Sequence, residues 1–348
     1  MLISRTPFRI SFLGGGTDFE RYFKEHGGSV LSTTIDKFCY ITIRKMPTLF
    51  EYRNQLTYSK IERFNDPDEV EHPVVREAMK YLEIDRIQIT YDADLPARAG
   101  LGASSSFSVG LLNSLHHFKN EKLDKMALAK ESIFLEQELC QESGGMQDQI
   151  AVCFGGLNRI NFSADGYEVC PLQITAQRKE FFNSRLMLFF TGFTRLSSEI
   201  ALDQSQNIPE RLAQLHEMKA LVDEGEKILT GSGDLRDFGE LLNVTWKLKR
   251  TLSGKIATDF IDNAYARAME AGAIGGKLLG AGGGGFMLFY VEPDKRESVK
   301  AALSELLYVP FRFEEEGTTI IYKGEKENKE EKEEIEERNG KMEGSDDE

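Results

Sequence analysis

The stretch LPARAGLGASSSFSVGLL, residues 95–112, sets glycines and three consecutive serines at the mouth of an apolar run. The segment before it, IQITYDAD (87–94), alternates apolar and polar residues as a half-buried strand does. From Ser104 onward, Phe107, Leu111, Leu112, Leu115 and Phe118 fall on one helical face. The order predicted is therefore strand, glycine loop, helix. A helix N-terminus leaves backbone N–H groups without intrahelical partners, and the macrodipole adds partial positive charge there. Gly100 and Gly102 let the backbone approach a bulky anion, and the hydroxyls of Ser104 and Ser105 add donors. The loop suits a triphosphate. Its competing reading is an ordinary serine-capped helix after an ordinary loop.

Familiar glycine motifs do not explain the stretch. GxxxxGK[ST] is absent, since AGAIGGKL (271–278) has Ala271 and Leu278 at the positions that pattern needs. GAGGGG (280–285) satisfies GxGxxG but feeds a strand instead of opening a helix. GASSS fails GxSxG at Ser106.

The rest of the chain reads as an α+β mixture without internal repeats. LISRTPFRISFL is a predicted strand ending in Gly14–Gly16, and DFERYFKEHGG a short helix. SVLSTTI and FCYITIRKM read as two strands, and residues 124–142 as one helix. FGGLNRINFSADGYEVCPL reads as a hairpin turning at Asp165–Gly166. Beyond it come a strand (185–191), long helices (195–231 and 234–252), a helix near 257–272 and the strand GFMLFYVE. The domains expected are 1–165 and 166–323, with 324–348 as an acidic tail. That tail holds 12 acidic and 5 basic residues and so carries half of the net charge of −14. Neither part resembles a basic nucleic-acid surface. No apolar run is long enough for a membrane span, and the N-terminus does not read as a signal peptide. Cys39, Cys140, Cys153 and Cys170 have no CxxC pairing, which suggests free thiols and a cytoplasmic setting.

Phosphoryl transfer needs neutralised phosphates, a magnesium ion and a group orienting the acceptor hydroxyl. Glu136 and Glu138 are candidate metal ligands, though a glutamate so placed is more often merely a solvated helix residue, and the residues alone single out neither. Asp148, in SGGMQDQIAV, is readable either as an N-cap or as a functional carboxylate.

Together TPFRISFLGGGTDF, LPARAGLGASSSFSV and GAIGGKLLGAGGGGFMLF resemble, in order and separation, the three motifs of the GHMP kinase superfamily, over residues 1–323. The resemblance implies a two-domain α+β fold, with an N-terminal domain like ribosomal protein S5 domain 2 and a ferredoxin-like C-terminal domain. It implies an ATP- and Mg²⁺-dependent sugar kinase, with a small-molecule sugar or sugar phosphate as partner, neither nucleic acid nor membrane, and a homodimer left open. By the same resemblance, Ala99, Gly100, Leu101, Gly102, Ala103, Ser104, Ser105 and Ser106 hold the ATP phosphates. Ser104 and Glu136 hold magnesium, and Asp148 is the base or hydroxyl-orienting group. Arg9 sits beside Asp148 and the transferring phosphate, where its charge opposes that of the γ-phosphate.

Asp18 matches the sugar-hydroxyl ligand of the galactokinase branch, and Gly15, Gly16 and Thr17 accompany it in the expected substrate site. Galactokinases carry Glu-His where this sequence has Gly15–Gly16, which leaves space and two amides and argues against galactose. FLGGGTD, GGMQDQIAVCFGGLNRINF and FFTGFTRLSSEI most resemble the bacterial kinases of D-glycero-α-D-manno-heptose 7-phosphate, which act at the anomeric hydroxyl. A phosphorylated acceptor needs a second anion site. Arg195 is the first candidate, with Arg159, Lys247, Lys249 and Arg250 behind it. Lys277 is readable as anion-facing or as solvent-facing. Competing functions are a kinase for fucose, galactose or a hexose phosphate, and a non-catalytic sugar and nucleotide sensor on the same fold.

Overall fold

The computed structural model describes residues 1–192 and 197–324. Arg195 and most of the acidic tail lie outside the described residues. The chain opens with β1 (Leu2–Leu13), α1 (Glu20–His26), β2 (Gly28–Lys45), β3 (Asn54–Thr57), β4 (Ile61–Phe64), α2 (Pro73–Tyr81) and β5 (Ile87–Ala93). It continues through α3 (Ala103–Phe118), α4 (Lys125–Phe134), α5 (Gln147–Phe154), β6 (Leu157–Ser163) and β7 (Gly166–Pro171). Then come α6 (Ala176–Ser184), β8 (Leu186–Phe190), α7 (Ser197–Asn207), α8 (Leu212–Thr230), α9 (Arg236–Arg250) and α10 (Asp259–Glu270). The last elements are β9 (Ala273–Leu278), β10 (Phe286–Val291), α11 (Arg296–Ala302), β11 (Leu307–Val309), β12 (Phe313–Glu314) and β13 (Thr319–Lys323).

Two sheets organise these elements. The first runs β13-β1-β2-β5-β3-β4, with β6 and β12 also on β2 and β7 on β6. The second runs β11-β8-β10-β9 with every pairing antiparallel. Numbered within that sheet the order is 4-1-3-2, and its strands and helices alternate as βαββαβ, the ferredoxin-like arrangement. The first sheet also draws β7, β12 and β13 from beyond residue 165. Packing crosses between the sheets: Phe12 of β1 meets Phe182 of α6 in a tilted contact and Phe238 of α9 edge-on, at 5.5 and 5.7 Å between ring centres. A second cluster gathers Trp246, Phe189 and Phe289 on the second sheet.

Three local expectations are corrected. Residues 29–45 form one strand, because Asp36 and Lys37 bulge out while the β1 ladder steps from Pro7–Phe38 to Phe8–Ile35. The helix expected over 124–142 ends its α part at Phe134 and widens into a π turn over Leu135–Leu139. Gln141 then turns left-handed at φ 54°, which stops it. The helix expected over 195–231 is two: Pro209 forces a 3₁₀ turn at Ile208–Glu210 before α8 begins. All four cysteines are free. Among the described residues no helix is long and apolar enough to cross a membrane.

Candidate active site

The glycine loop bends where only glycine can. Gly100 and Gly102 have φ of +84° and +73°, and a Cβ on Gly100 would stand 2.6 Å from the Leu279 carbonyl oxygen. Helix α3 starts after Gly102 with no side-chain cap, and its first helical bond here runs from the Ser106 amide to the Gly102 carbonyl at 2.8 Å. The amides of Ala103, Ser104 and Ser105 precede that bond, at the positive end of a 16-residue helix. Ser104 is exposed on this turn.

Arg9 underpins the loop. Its backbone amide donates to the Leu101 carbonyl at 3.0 Å and its Nη1 to the Gly100 carbonyl at 2.7 Å. Its Nε and Nη2 donate to the two carboxylate oxygens of Asp148 at 2.7 and 2.6 Å. The guanidinium is buried, whereas the Asp148 side chain keeps 24% of its surface exposed. The carboxylate therefore stays reachable while its partner is fixed.

The first turn of α5 distributes three consecutive side chains, because a helix advances about 100° per residue. Gln147 Nε2 donates to Asp18 Oδ2 at 2.9 Å, Asp148 meets Arg9, and Gln149 Nε2 donates to Glu136 Oε2 at 2.6 Å. Sequence reasoning missed both glutamines; the QDQ spacing at a helix start was the available signal. Asp18 is buried and also accepts the Gly16 amide at 2.9 Å. Burial pushes its carboxyl above the usual aspartate range. Gly145 is obligatory here, since its Cβ would fall 1.8 Å from Asp18 Oδ2.

Glu136 leaves the π turn pointing inward. Its Oε2 accepts from Ser105 Oγ at 3.2 Å, and its buried Oε1 has no partner among the described residues. Burial raises its pKa to about 7. An unsatisfied buried carboxylate oxygen beside a serine hydroxyl fits a hard cation, which takes one or two protein oxygens and completes its shell with phosphate and water. Among the described residues no cluster of three acidic, His or Cys ligands offers an all-protein metal cage.

Several expected side chains are engaged elsewhere. The hydroxyls meeting Glu136 belong to Ser105 and Ser108. Ser106 Oγ donates to the Pro7 and Gly102 carbonyls, and Thr17 Oγ1 to those of Gly14 and Ser29, so both hydroxyls hold backbone. The Gly16 amide is taken by Asp18 and is not open, while Gly15 has only Gln147 and Ser11 side-chain atoms near its Cβ position. Arg159 pairs with Asp223 and Glu226, Arg250 pairs with Asp262, and Lys247 is exposed. Both arginines are thus engaged with carboxylates. Lys249 and Lys277 are both buried, each donating to two backbone carbonyls. A cleft of about 740 Å³ lined by Arg236, Glu240, Asn243 and Lys295 contains none of the site residues.

A helix N-terminus opened by glycines, an arginine beneath it and an accessible carboxylate beside that arginine are features that phosphoryl transfer calls for. The chain belongs to the GHMP kinase family and is an ATP-dependent sugar kinase. The family's N-terminal domain model matches residues 72–156, and its C-terminal model matches 218–309. A D-glycero-alpha-D-manno-heptose 7-phosphate kinase of Campylobacter jejuni is 29% identical over 331 residues, 90% of this chain and 97% of that protein. A galactokinase of Pyrococcus furiosus is 26% identical over 86% of this chain and 91% of its own. A solved D-glycero-D-manno-heptose 1-phosphate kinase from Bacteroides thetaiotaomicron superposes with a TM-score of 0.76 at 25% identity, covering 93% of this chain and all of its own.

Proposed function

We propose that this kinase transfers the γ-phosphate of ATP to the anomeric hydroxyl of D-glycero-α-D-manno-heptose 7-phosphate, giving the 1,7-bisphosphate. The observation that carries the reaction is the bidentate Arg9–Asp148 pair lying directly under the Gly100 carbonyl. It sets a cation at the phosphate loop and an accessible carboxylate next to it. The acceptor class is supported by the near full-length likeness to the Campylobacter heptose 7-phosphate kinase. It is also supported by glycine at 15, where an added side chain would meet only Gln147 and Ser11 side-chain atoms.

In this reading the amides of Ala103, Ser104 and Ser105 hold the nucleotide phosphates. Asp148 orients the acceptor hydroxyl and takes its proton as that oxygen bonds to the γ-phosphorus. The bond from phosphorus to the β,γ-bridging oxygen breaks and ADP leaves. Arg9 balances charge on the transferring group. Asp18, steadied by Gln147, accepts a hydroxyl of the sugar. Glu136 with the serines at 104 and 105 would hold Mg²⁺, which neutralises phosphate charge when bound. A cytoplasmic setting fits this reading, because ATP is supplied there.

The test is an ADP-release assay on a panel containing heptose 7-phosphate, heptose 1-phosphate, fucose, galactose and hexose phosphates, with product NMR. Heptose 7-phosphate is expected to be turned over fastest, with the new phosphate on C1. Faster turnover of a non-phosphorylated hexose, or phosphorylation at another carbon, refutes the assignment.

A further inference from the structure

Two lysines are buried between the sheets behind the site, and the reaction as described uses neither. Lys277 of β9 donates to the Ser11 and Phe12 carbonyls at 2.9 and 2.7 Å, where the β1–β2 register shifts. Lys249 of α9 donates to the Leu278 carbonyl at 3.0 Å and to the Gly280 carbonyl. The first carbonyl ends β9 and the second belongs to the glycine turn joining β9 to β10.

The turn passes this constraint forward to the phosphate loop. A Cβ on Gly280 would stand 2.4 Å from Gly100 Cα, and one on Gly285 would stand 2.3 Å from the Ala99 carbonyl oxygen. The Phe286 amide donates to that same Ala99 carbonyl at 3.1 Å. The physical order is therefore ammonium, glycine turn, phosphate loop. A turn this rich in glycine has little side-chain packing of its own, so hydrogen bonds fix it. Gln204 Nε2 holds the Ala281 carbonyl, Thr191 the Gly285 carbonyl and the Gly283 amide the Ile256 carbonyl. The Lys249 ammonium holds Gly280, the residue that abuts Gly100.

A buried ammonium is costly, and a leucine or methionine would fill the same space without that cost. Burial lowers the pKa of Lys249 to about 7. Arg9 of β1 adds to the lowering, while Asp148 of α5 and Asp18 of the turn after β1 oppose it. Lys277 of β9 lies within the same field, lowered by burial and by Lys249 and Arg9. Lys249 thus sits in electrostatic reach of the catalytic groups while its hydrogen bonds go to the turn.

We propose that Lys249 is a positioning residue for phosphoryl transfer. Its ammonium holds the glycine turn 279–285 against residues 99–102, so that the first amides of α3 keep their aim at the nucleotide phosphates. The inference rests on reading residues 99–106 as the phosphate cradle.

Calorimetric titration of the full chain with a non-hydrolysable ATP analogue and Mg²⁺ tests it. Absence of binding to the unmodified protein would count against the cradle itself. Given binding, Lys249→Met is expected to weaken affinity by about tenfold, with the KM for ATP rising in proportion and kcat changing less. Lys249→Arg, which keeps the charge, is expected to recover most of that loss. A mere packing role would not favour Arg, which is larger than Met and charged. Wild-type affinity in Lys249→Met, or a Lys249→Arg no better than Met, overturns the proposal. Should Lys249→Met fail to fold, Lys249→Gln takes its place under the same outcomes.

Discussion

Asp148 accepts both Nε and Nη2 of Arg9, so neutralising it alters the site in two ways. In the proposed reading the acceptor hydroxyl loses its orienting carboxylate, and a buried guanidinium loses its counter-charge. Asp148→Asn is expected to lower kcat by about 10²-fold or more, with the far-UV CD spectrum of the native fold retained. ADP release under saturating ATP and sugar reads this, and unchanged turnover by a folded variant would refute the role. Gly145→Ala probes the acceptor side, because its Cβ would strike Asp18 Oδ2. We expect the KM for sugar to rise by about tenfold, equivalent to 1.4 kcal/mol, while nucleotide affinity measured by calorimetry stays near wild type. At this scale the neighbourhood of Arg9 and Asp148 was implied by the motif resemblance, and the two side chains do meet. Gln147 and Gln149 were not legible, since their partners depend on the phase of α5. Thr17 and Ser106 looked like ligands because a hydroxyl in a motif does not reveal whether it faces a substrate or a backbone carbonyl.

At the scale of elements, α3 ties the phosphate loop to a charged cluster at its far end. His116, near the C-terminus of that helix, meets Glu131 through Nε2 at 2.9 Å and Glu121 through Nδ1 at 2.8 Å. Hydrogen bonding to Glu131 is the main cause that raises the His116 pKa above its ordinary 6.5. A raised histidine stabilises the fold fully below its unfolded pKa and loses that contribution as pH climbs through the folded value. Wild type is therefore expected to exceed His116→Gln in melting temperature by about 2–4 °C at pH 6, with the gap closing toward pH 9. A gap that widens with pH contradicts the assignment. The strand–loop–helix order of this region was legible from periodicity alone. The π turn carrying Glu136 was not, because periodicity continues across it. The bulge in β2 was hidden for a similar reason: two polar residues, Asp36 and Lys37, look like a break, whereas the ladder absorbs them.

Across the whole molecule, the site exists only where the two sheets meet. Arg9, Asp148 and Glu136 come from elements packed on the first sheet, while the glycine turn that supports their loop joins two strands of the second. Motif order along the chain carried this organisation, but the return of β12 and β13 to the first sheet had no local signal, since pairing partners some 280–320 residues apart leave no mark on periodicity. The aromatic contacts of Phe12 with Phe182 and Phe238, and Leu248 packed against both core clusters, make the sheets one mechanical unit. Removing the Phe12 ring is expected to cost about 3–5 kcal/mol. The single tryptophan, Trp246, belongs to the second cluster, whereas Phe12 belongs to the first. Its fluorescence therefore reports on a core that Phe12 does not enter. If the cores unfold together, Phe12→Ala shifts the urea midpoint of Trp246 fluorescence and that of far-UV circular dichroism by the same amount. A fluorescence midpoint that stays put while circular dichroism moves would mean two independently folding halves. The glycine turn could then no longer be a fixed support for the phosphate loop.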